Sequence, residues 1–132
     1  YCGRLLESFR DRPELSVGGT MVVIEGPRFS TRAESQHYAA QGWSLVNMTG
    51  HPEAVLAREM RLCYAALALV TDTDAGVTEG SGVGQEEVFA LFAANLDRLR
   101  TLLGELVADL PDPSGCSCSS WADDIELTYD VP

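Results

Sequence analysis

Apolar residues at Cys2, Leu5, Leu6 and Phe9 recur at the spacing of one helix face, and Pro13 with Gly18-Gly19 ends the run. The pattern then changes. Residues 20–24 are apolar or β-branched throughout, which predicts a strand buried on both faces in the manner of a parallel sheet, stopped by Gly26-Pro27. Ser30 or Thr31 caps a helix running to about Gln41, with Glu34 where a capping-box carboxylate belongs and Gly42 as terminator. Residues 45–48 read as a second strand. Pro52, with Glu53 behind it in the first turn, opens a helix to about Arg61, and residues 62–71 read as a third strand. The polar stretch 74–84, with four glycines, predicts a mobile loop before the longest helix, which begins near Gln85. On that helix Val88, Phe92, Leu96, Leu99, Leu103, Leu106 and Leu110 form one continuous apolar face, and Pro111 and Pro113 end it. Helices alternating with strands predict an α/β fold with a sheet covered on both faces. Three such apolar strands make a thin sheet whose edges want partners, so further strands are expected upstream.

Composition narrows the function. The chain has 132 residues, 9 Lys and Arg against 20 Asp and Glu, a net charge of -11 and 45% hydrophobic residues, which fits one globular unit. So acidic a balance repels phosphate backbones and anionic headgroups, so neither nucleic acid nor a membrane surface is expected as a partner. The longest apolar run, 62–70, is far short of the roughly 20 residues of a spanning helix. The chain opens Tyr1-Cys2-Gly3-Arg4, without initiator Met or secretory leader, and is expected to begin inside a longer polypeptide. Four cysteines, Cys2, Cys63, Cys116 and Cys118, imply no disulfide framework here, and cytosolic thiols are expected. Cys63 reads as a small buried hydrophobe.

In α/β sheets ligands bind beyond the carboxyl ends of strands. Three segments lie there: Glu25-Gly26-Pro27-Arg28-Phe29-Ser30, Asn47-Met48-Thr49-Gly50-His51-Pro52-Glu53, and Thr71-Asp72-Thr73-Asp74. Asp72 and Asp74 project to one side of an extended segment and form either an acid–base pair or a solvated turn. Arg28 and Arg32 flank a helix N-terminus able to receive an anion, although a surface ion pair is the commoner fate of each. Thr49 is either an anion contact or an ordinary cap. His37 and His51 share no zinc spacing with other ligands, and Cys116 and Cys118 lack the second pair a structural zinc site requires, so no metal is expected. That Cys-x-Cys pair forms a strained local disulfide or does nothing. Gly80-Ser81-Gly82-Val83-Gly84 does not follow a strand directly and lacks the spacing of a phosphate loop.

The segment Gly19-Thr20-Met21-Val22-Val23-Ile24-Glu25-Gly26-Pro27-Arg28-Phe29-Ser30-Thr31-Arg32-Ala33-Glu34-Ser35 resembles the signature of the S-methyl-5'-thioadenosine phosphorylases, in the trimeric branch of purine nucleoside phosphorylases. The likeness continues through Val46-Asn47-Met48-Thr49, Pro52-Glu53, Cys63-Tyr64-Ala65 and Thr71-Asp72-Thr73-Asp74, covers residues 1–110, and leaves 111–132 as a tail. It implies a three-layer αβα domain with a mixed sheet flanked by helices, of which this chain is the C-terminal portion. The half that carries the phosphate loop and part of the ribose pocket in that family is absent, so the chain alone is expected to be inactive. The reaction implied is that of a pentosyltransferase: phosphate attacks C1' of 5'-methylthioadenosine, releasing adenine and 5-methylthioribose 1-phosphate in purine and methionine salvage. No metal or organic cofactor is implied, inorganic phosphate is the co-substrate, and the full protein is expected to be a cytoplasmic homotrimer.

By that resemblance Asp72 is the catalytic acid at purine N7, and Asp74, supported by Ser30, accepts from the 6-amino group. Phe29 packs on the base, Met48 lies under the sugar, Thr49 contacts phosphate, and Thr71 belongs to the same pocket. Val83, Val88 and Phe89 line the 5' end, where Gln85 replaces the family's apolar residue and favours a 5'-hydroxyl. The tail's Cys-x-Cys pair is similar to one near the C-terminus of some archaeal and bacterial members, and residues 121–131 are expected to close a neighbouring subunit's site. Two competing readings remain: a phosphorylase of 6-oxopurine nucleosides, including methylthioinosine, and a catalytically incomplete fragment acting as an acidic binding or assembly partner.

Overall fold

In a computed structural model of the chain, which describes residues 1–74, 76–77 and 84–125, the first two β-branched segments pair side by side. Strand β1 (Met21–Val23) runs parallel to β2 (Leu45–Asn47), in the register Met21 to Leu45, Val22 to Val46 and Val23 to Asn47. The ladder continues past the strand end, where the Ile24 amide donates to the Asn47 carbonyl at 2.9 Å. Helix α1 (Gly3–Ser8) precedes the pair, α2 (Arg32–Ala40) connects its strands, and α3 (Gly50–Glu59) and α4 (Gln85–Ala108) follow, with a short 3-10 turn at Ser117–Ser119. The α/β class stands. Among the described residues the sheet has two strands, which run parallel.

The caps follow the sequence closely. Thr31 is the N-cap of α2: its hydroxyl accepts from the Glu34 amide, and the Glu34 carboxylate accepts from the Thr31 amide at 2.7 Å. Arg28 then grips both oxygens of Glu34 at 2.8 Å each, so this arginine ends in an ion pair, as expected from its exposure. Together the Arg28 guanidinium and the Thr31 amide and hydroxyl hold the Glu34 carboxyl down at about 2. A carboxylate whose folded value is depressed contributes stability above its unfolded value and loses it on acidification. The stability difference between the parent and Glu34→Gln, followed by thermal melts, should therefore be full above about pH 4.5 and vanish as pH falls toward about 2.

In α3, His51 has non-helical angles (φ -117, ψ 126), so the regular helix starts at Pro52 as its sequence predicts. The helix ends on Arg61 at φ 59, with Leu62 donating to the Ala57 carbonyl at 2.8 Å and Arg61 to that of Arg58 at 3.0 Å. This is the double bond of a left-handed C-cap that glycine usually fills.

The expected third strand, 62–71, is not one. A strand needs a hydrogen-bonded neighbour, and the backbone bond that ties this segment to a distant part of the chain runs from the Cys2 amide to the Tyr64 carbonyl at 2.7 Å. Its side chains alternate even so: Cys63, Ala65, Leu67 and Leu69 are half-buried, while Ala66, Ala68 and Val70 are exposed. Apolar composition makes the segment strand-like, but no ladder forms on it among the described residues.

The core is correspondingly small. Its buried apolar residues are Cys2, Ile24, Ala57, Leu106 and Cys118, while Phe92 and Leu103 on the apolar face of α4 and Leu110, which falls just past the helix's end at Ala108, are exposed. The accessible surface is 9847 Å². A compact monomer of 14.3 kDa exposes about 6,800 Å². A cleft of about 800 Å³ opens at the N-terminal ends of β1 and β2, lined among others by Leu6, Phe9, Met21, Leu67 and Leu106. Arg12 closes one side of the structure, reaching Glu105 at 3.0 Å and also Asp109 at the end of α4.

Candidate active site

The carboxyl ends of β1 and β2 lie side by side because the strands are parallel and in register, so the two segments that follow them share one end of the sheet. There Gly26 is packed so closely on Met48 that an added Cβ would stand 3.2 Å from the Met48 sulfur. A side chain at position 26 would require the flexible end of Met48 to give by a few tenths of an ångström. The large apolar cleft lies at the opposite end of the strands and belongs to the core, not to this chemistry.

The third segment is tied to the first by a polar knot. Ser30 donates to Oδ2 of Asp74 at 2.8 Å, and the Ser35 hydroxyl lies 2.6 Å from the same oxygen. Ser30 and Ser35 are 7% and 1% exposed, so these hydroxyls have no water to turn to and must be satisfied within the fold. Ser35 also sits 3.0 Å from the Thr31 carbonyl, and its single proton goes to the shorter, charged partner. With Oδ2 filled by two donors, the carboxylate's orientation is set and Oδ1 remains as an acceptor.

Asp72 is half-buried and accepts from its neighbour Thr71 at 2.6 Å. Of the two readings left open by the sequence, a carboxyl pair or a solvated turn, neither describes the arrangement fully: both aspartates are half-buried, and each has its own hydroxyl partner. Asp74 is held from the start of α2, by Ser30 just before the cap and Ser35 in the helix's first turns.

Thr49 is the N-cap of α3 by position, but its hydroxyl makes no cap bond. Asn47 caps instead, its Oδ1 accepting from the amides of Thr49 at 2.7 Å and Gly50 at 2.6 Å. Thr49 is thereby left exposed with its hydroxyl uncommitted to the helix. Asn47→Ala should destabilise the fold by about 0.5–2 kcal/mol in denaturant titrations, with Asn47→Asp recovering most of it.

Phe29 is 58% and Phe89 61% exposed. Gln85 and Phe89 stand one turn apart on α4, and no hydrogen bond joins Gln85 to the rest of the site among the described residues. Val83 and the glycine run 80–84, Gly84 excepted, lie outside the described residues. Arg32 makes no ion pair among the described residues; its stem packs on Gly76, whose φ of 76 and lack of a side chain leave the room. Trp121 turns back on its own chain, donating from Nε1 to the Arg58 carbonyl at 2.8 Å, with the Arg58 guanidinium 4.4 Å from its ring. The rest of the segment expected to close a neighbour's site, residues 126–131, lies outside the described residues.

Ser35 and Asn47 were not singled out by sequence. A buried serine on the polar helix α2, four residues after the cap, and an asparagine three residues before a helical glycine are the signals that locate them.

The cysteines also depart from expectation. The second pair that Cys116 and Cys118 lack in sequence is supplied by Cys2 and Cys63 in space, and Cys63 is half-buried beside Cys116 at 3.5 Å. The Cys118 amide and the surrounding thiols bring the Cys116 thiol down to about 7. Cys63, as donor to Cys116 and through burial, is pushed up to about 12.

The sequence profile of the Phosphorylase superfamily matches residues 1–110, and the chain belongs to that superfamily. Over 132 residues it is 51% identical to the S-methyl-5'-thioadenosine phosphorylase of Mycobacterium tuberculosis, covering 100% of this chain and 50% of that protein. Over 101 residues it is 62% identical to the purine nucleoside phosphorylase of Streptomyces coelicolor, covering 76% of this chain and 36% of that protein. In structure it is similar to the methylthioadenosine phosphorylase from Schistosoma mansoni in complex with adenine, with a TM-score of 0.67 and 34% identity over 84% of this chain and 46% of that one. The chain spans about half the length, or less, of the curated relatives it matches. Among the described residues no helix is long and apolar enough to cross a membrane.

Proposed function

We propose that the polypeptide carrying this chain cleaves 5'-methylthioadenosine with inorganic phosphate, giving adenine and 5-methylthioribose 1-phosphate, and that residues 1–110 are the C-terminal portion of its catalytic domain. The observation that carries the reading is the knot at Asp74. Two buried hydroxyls donate to Oδ2, and Oδ1 is left as an acceptor. An exocyclic amino group satisfies an acceptor, and a 6-carbonyl does not.

In the transition state positive charge grows on the sugar and negative charge on the departing purine, so the protein must act at both places. Asp72 donates to N7 and so stabilises the leaving base, with Thr71 fixing its side chain. Asp74 and Ser30 read the 6-amino edge, Phe29 covers the base, and Met48, backed by Gly26, lies under the sugar. Thr49, relieved of capping by Asn47, contacts phosphate. Val83, Gln85 and Phe89 border the 5' substituent, where Gln85 admits a 5'-hydroxyl beside the methylthio group. No step in this scheme calls for an organic cofactor.

The bare faces of α4 and of residues 62–71, together with a surface well above that of a compact monomer, support a domain completed by more polypeptide than this chain. We place the full protein in the cytoplasm as a homotrimer. Phosphate dependence tests the reaction directly. Adenine should appear from 5'-methylthioadenosine only when phosphate is present, with sugar 1-phosphate in equal amount. Adenine release with free sugar as co-product would make the protein a hydrolase and remove the reading.

A second reading is favoured by the likeness to the Streptomyces coelicolor purine nucleoside phosphorylase: the same phosphorolysis with a 6-oxopurine base. Inosine turnover exceeding that of 5'-methylthioadenosine would establish it.

A further inference from the structure

Four sulfur atoms meet at one point: Sγ of Cys2, Cys63, Cys116 and Cys118 all lie within 4.8 Å of one another. They come from three places, the N-cap of α1, the third residue after the C-cap of α3, and the tail around the 3-10 turn. We propose that these four cysteines are the ligands of a structural zinc(II) ion that clips the C-terminal tail to the N-terminal helix and to the segment leaving α3.

The spacing suits the ion. Sulfurs about 2.3 Å from a tetrahedral zinc stand about 3.8 Å apart. Here Cys2 and Cys63 each approach the Cys116 sulfur at 3.4 and 3.5 Å, and every other pair falls inside the 4.8 Å limit. Small movements of side chains alone reach the tetrahedron. The Cys118 amide points at the Cys116 sulfur at 3.4 Å, an N–H to sulfur bond of the kind that steadies a bound thiolate. Cys2 and Cys118 are 2% and 8% exposed, so the centre is enclosed, as in closed structural sites.

The surroundings are built to hold the tail there. Arg4 of α1 donates to the Ser114 carbonyl just before the pair. Arg61 donates to the Ser119 carbonyl at 3.3 Å and pairs with Asp123 at 2.6 Å just after it. These two cations also offset part of the double negative charge that four thiolates leave around one dication. Arg61 occupies a left-handed position where glycine is easier, and its grip on the tail gives that choice a reason. On binding, four zinc–sulfur bonds form and each protonated thiol releases its proton to solvent, so uptake strengthens as pH rises. None of this depends on the phosphorolysis reading.

The test uses the full polypeptide carrying this sequence, reduced, stripped with chelator and titrated with cobalt(II) and then zinc(II). The expected result is one cobalt per chain with the intense visible bands and sulfur-to-metal charge transfer of a tetrahedral tetrathiolate, bleached by zinc. Zinc should also protect all four cysteines from alkylation in the unaltered protein. Cys118→Ser should lose the four-sulfur spectrum and at least about tenfold in zinc affinity. Ser117→Ala should keep both. Four freely alkylated thiols in excess zinc, a six-coordinate cobalt spectrum, or disulfides among these residues that persist in reductant with zinc present would each overturn the proposal.

Discussion

Replacing Asp72 by Asn in the full polypeptide should lower phosphate-dependent release of adenine from 5'-methylthioadenosine by about 10² to 10⁴ in kcat, with a much smaller change in KM. The side chain keeps its size and its contact with Thr71, so a folding defect is not expected. What changes is the proton. A carboxyl can give one to N7 as the glycosidic bond breaks, whereas an amide N–H can only share one. The loss belongs to the transition state, where the leaving purine carries charge, and so appears in kcat. The same variant should suffer less with inosine, so relative preference moves toward 6-oxopurines. Equal losses on both substrates would leave Asp72 as an acid without a part in base selection. No loss on either would remove it from the reaction.

Asp74→Asn addresses selection alone. In the proposed complex Oδ1 of the half-buried Asp74 meets the 6-amino edge while Ser30 and Ser35 hold Oδ2, so a 6-carbonyl there would set acceptor against acceptor at a cost of about 1–3 kcal/mol. An asparagine turned to present its NH₂ inverts that contact. The ratio of kcat/KM for 5'-methylthioadenosine over methylthioinosine should therefore fall by about 10- to 100-fold. Ser35→Ala, which removes one of the two donors without touching the base edge, should move the ratio in the same direction by less. An unchanged ratio in Asp74→Asn would mean that the aspartate is structural and that the base is read elsewhere.

Local chemistry written in consecutive residues was legible in the sequence. The Thr31–Glu34 capping box, the start of regular α3 at Pro52 and the 24-residue α4 all follow from residues within a turn or two of each other. What needed the fold is non-local. Residues 62–71 have the composition of a strand, but a ladder depends on a neighbour that no property of those ten residues supplies. The serine pair on Asp74 spans 44 and 39 positions, and the alternation that placed Asp72 beside Asp74 could not reveal that α2 would claim only one of them. Likewise a Cys-x-Cys spacing looks incomplete until a contact across 114 positions brings Cys2 to Cys116. Thr49 was half legible: its place at a helix start is evident, but Asn47, two residues earlier, takes the capping role and changes what the threonine is for.

The proposed reaction is phosphorolysis with an amino-selecting base pocket, to which polypeptide beyond these 132 residues contributes. The most direct measurement compares phosphate-dependent base release from 5'-methylthioadenosine, adenosine and inosine, using the full polypeptide and this chain in parallel. Adenine is expected from the first two substrates with the full polypeptide, little hypoxanthine from inosine, and no release by the chain alone. Hypoxanthine as the main product, or no base released by the full polypeptide, would contradict this proposal.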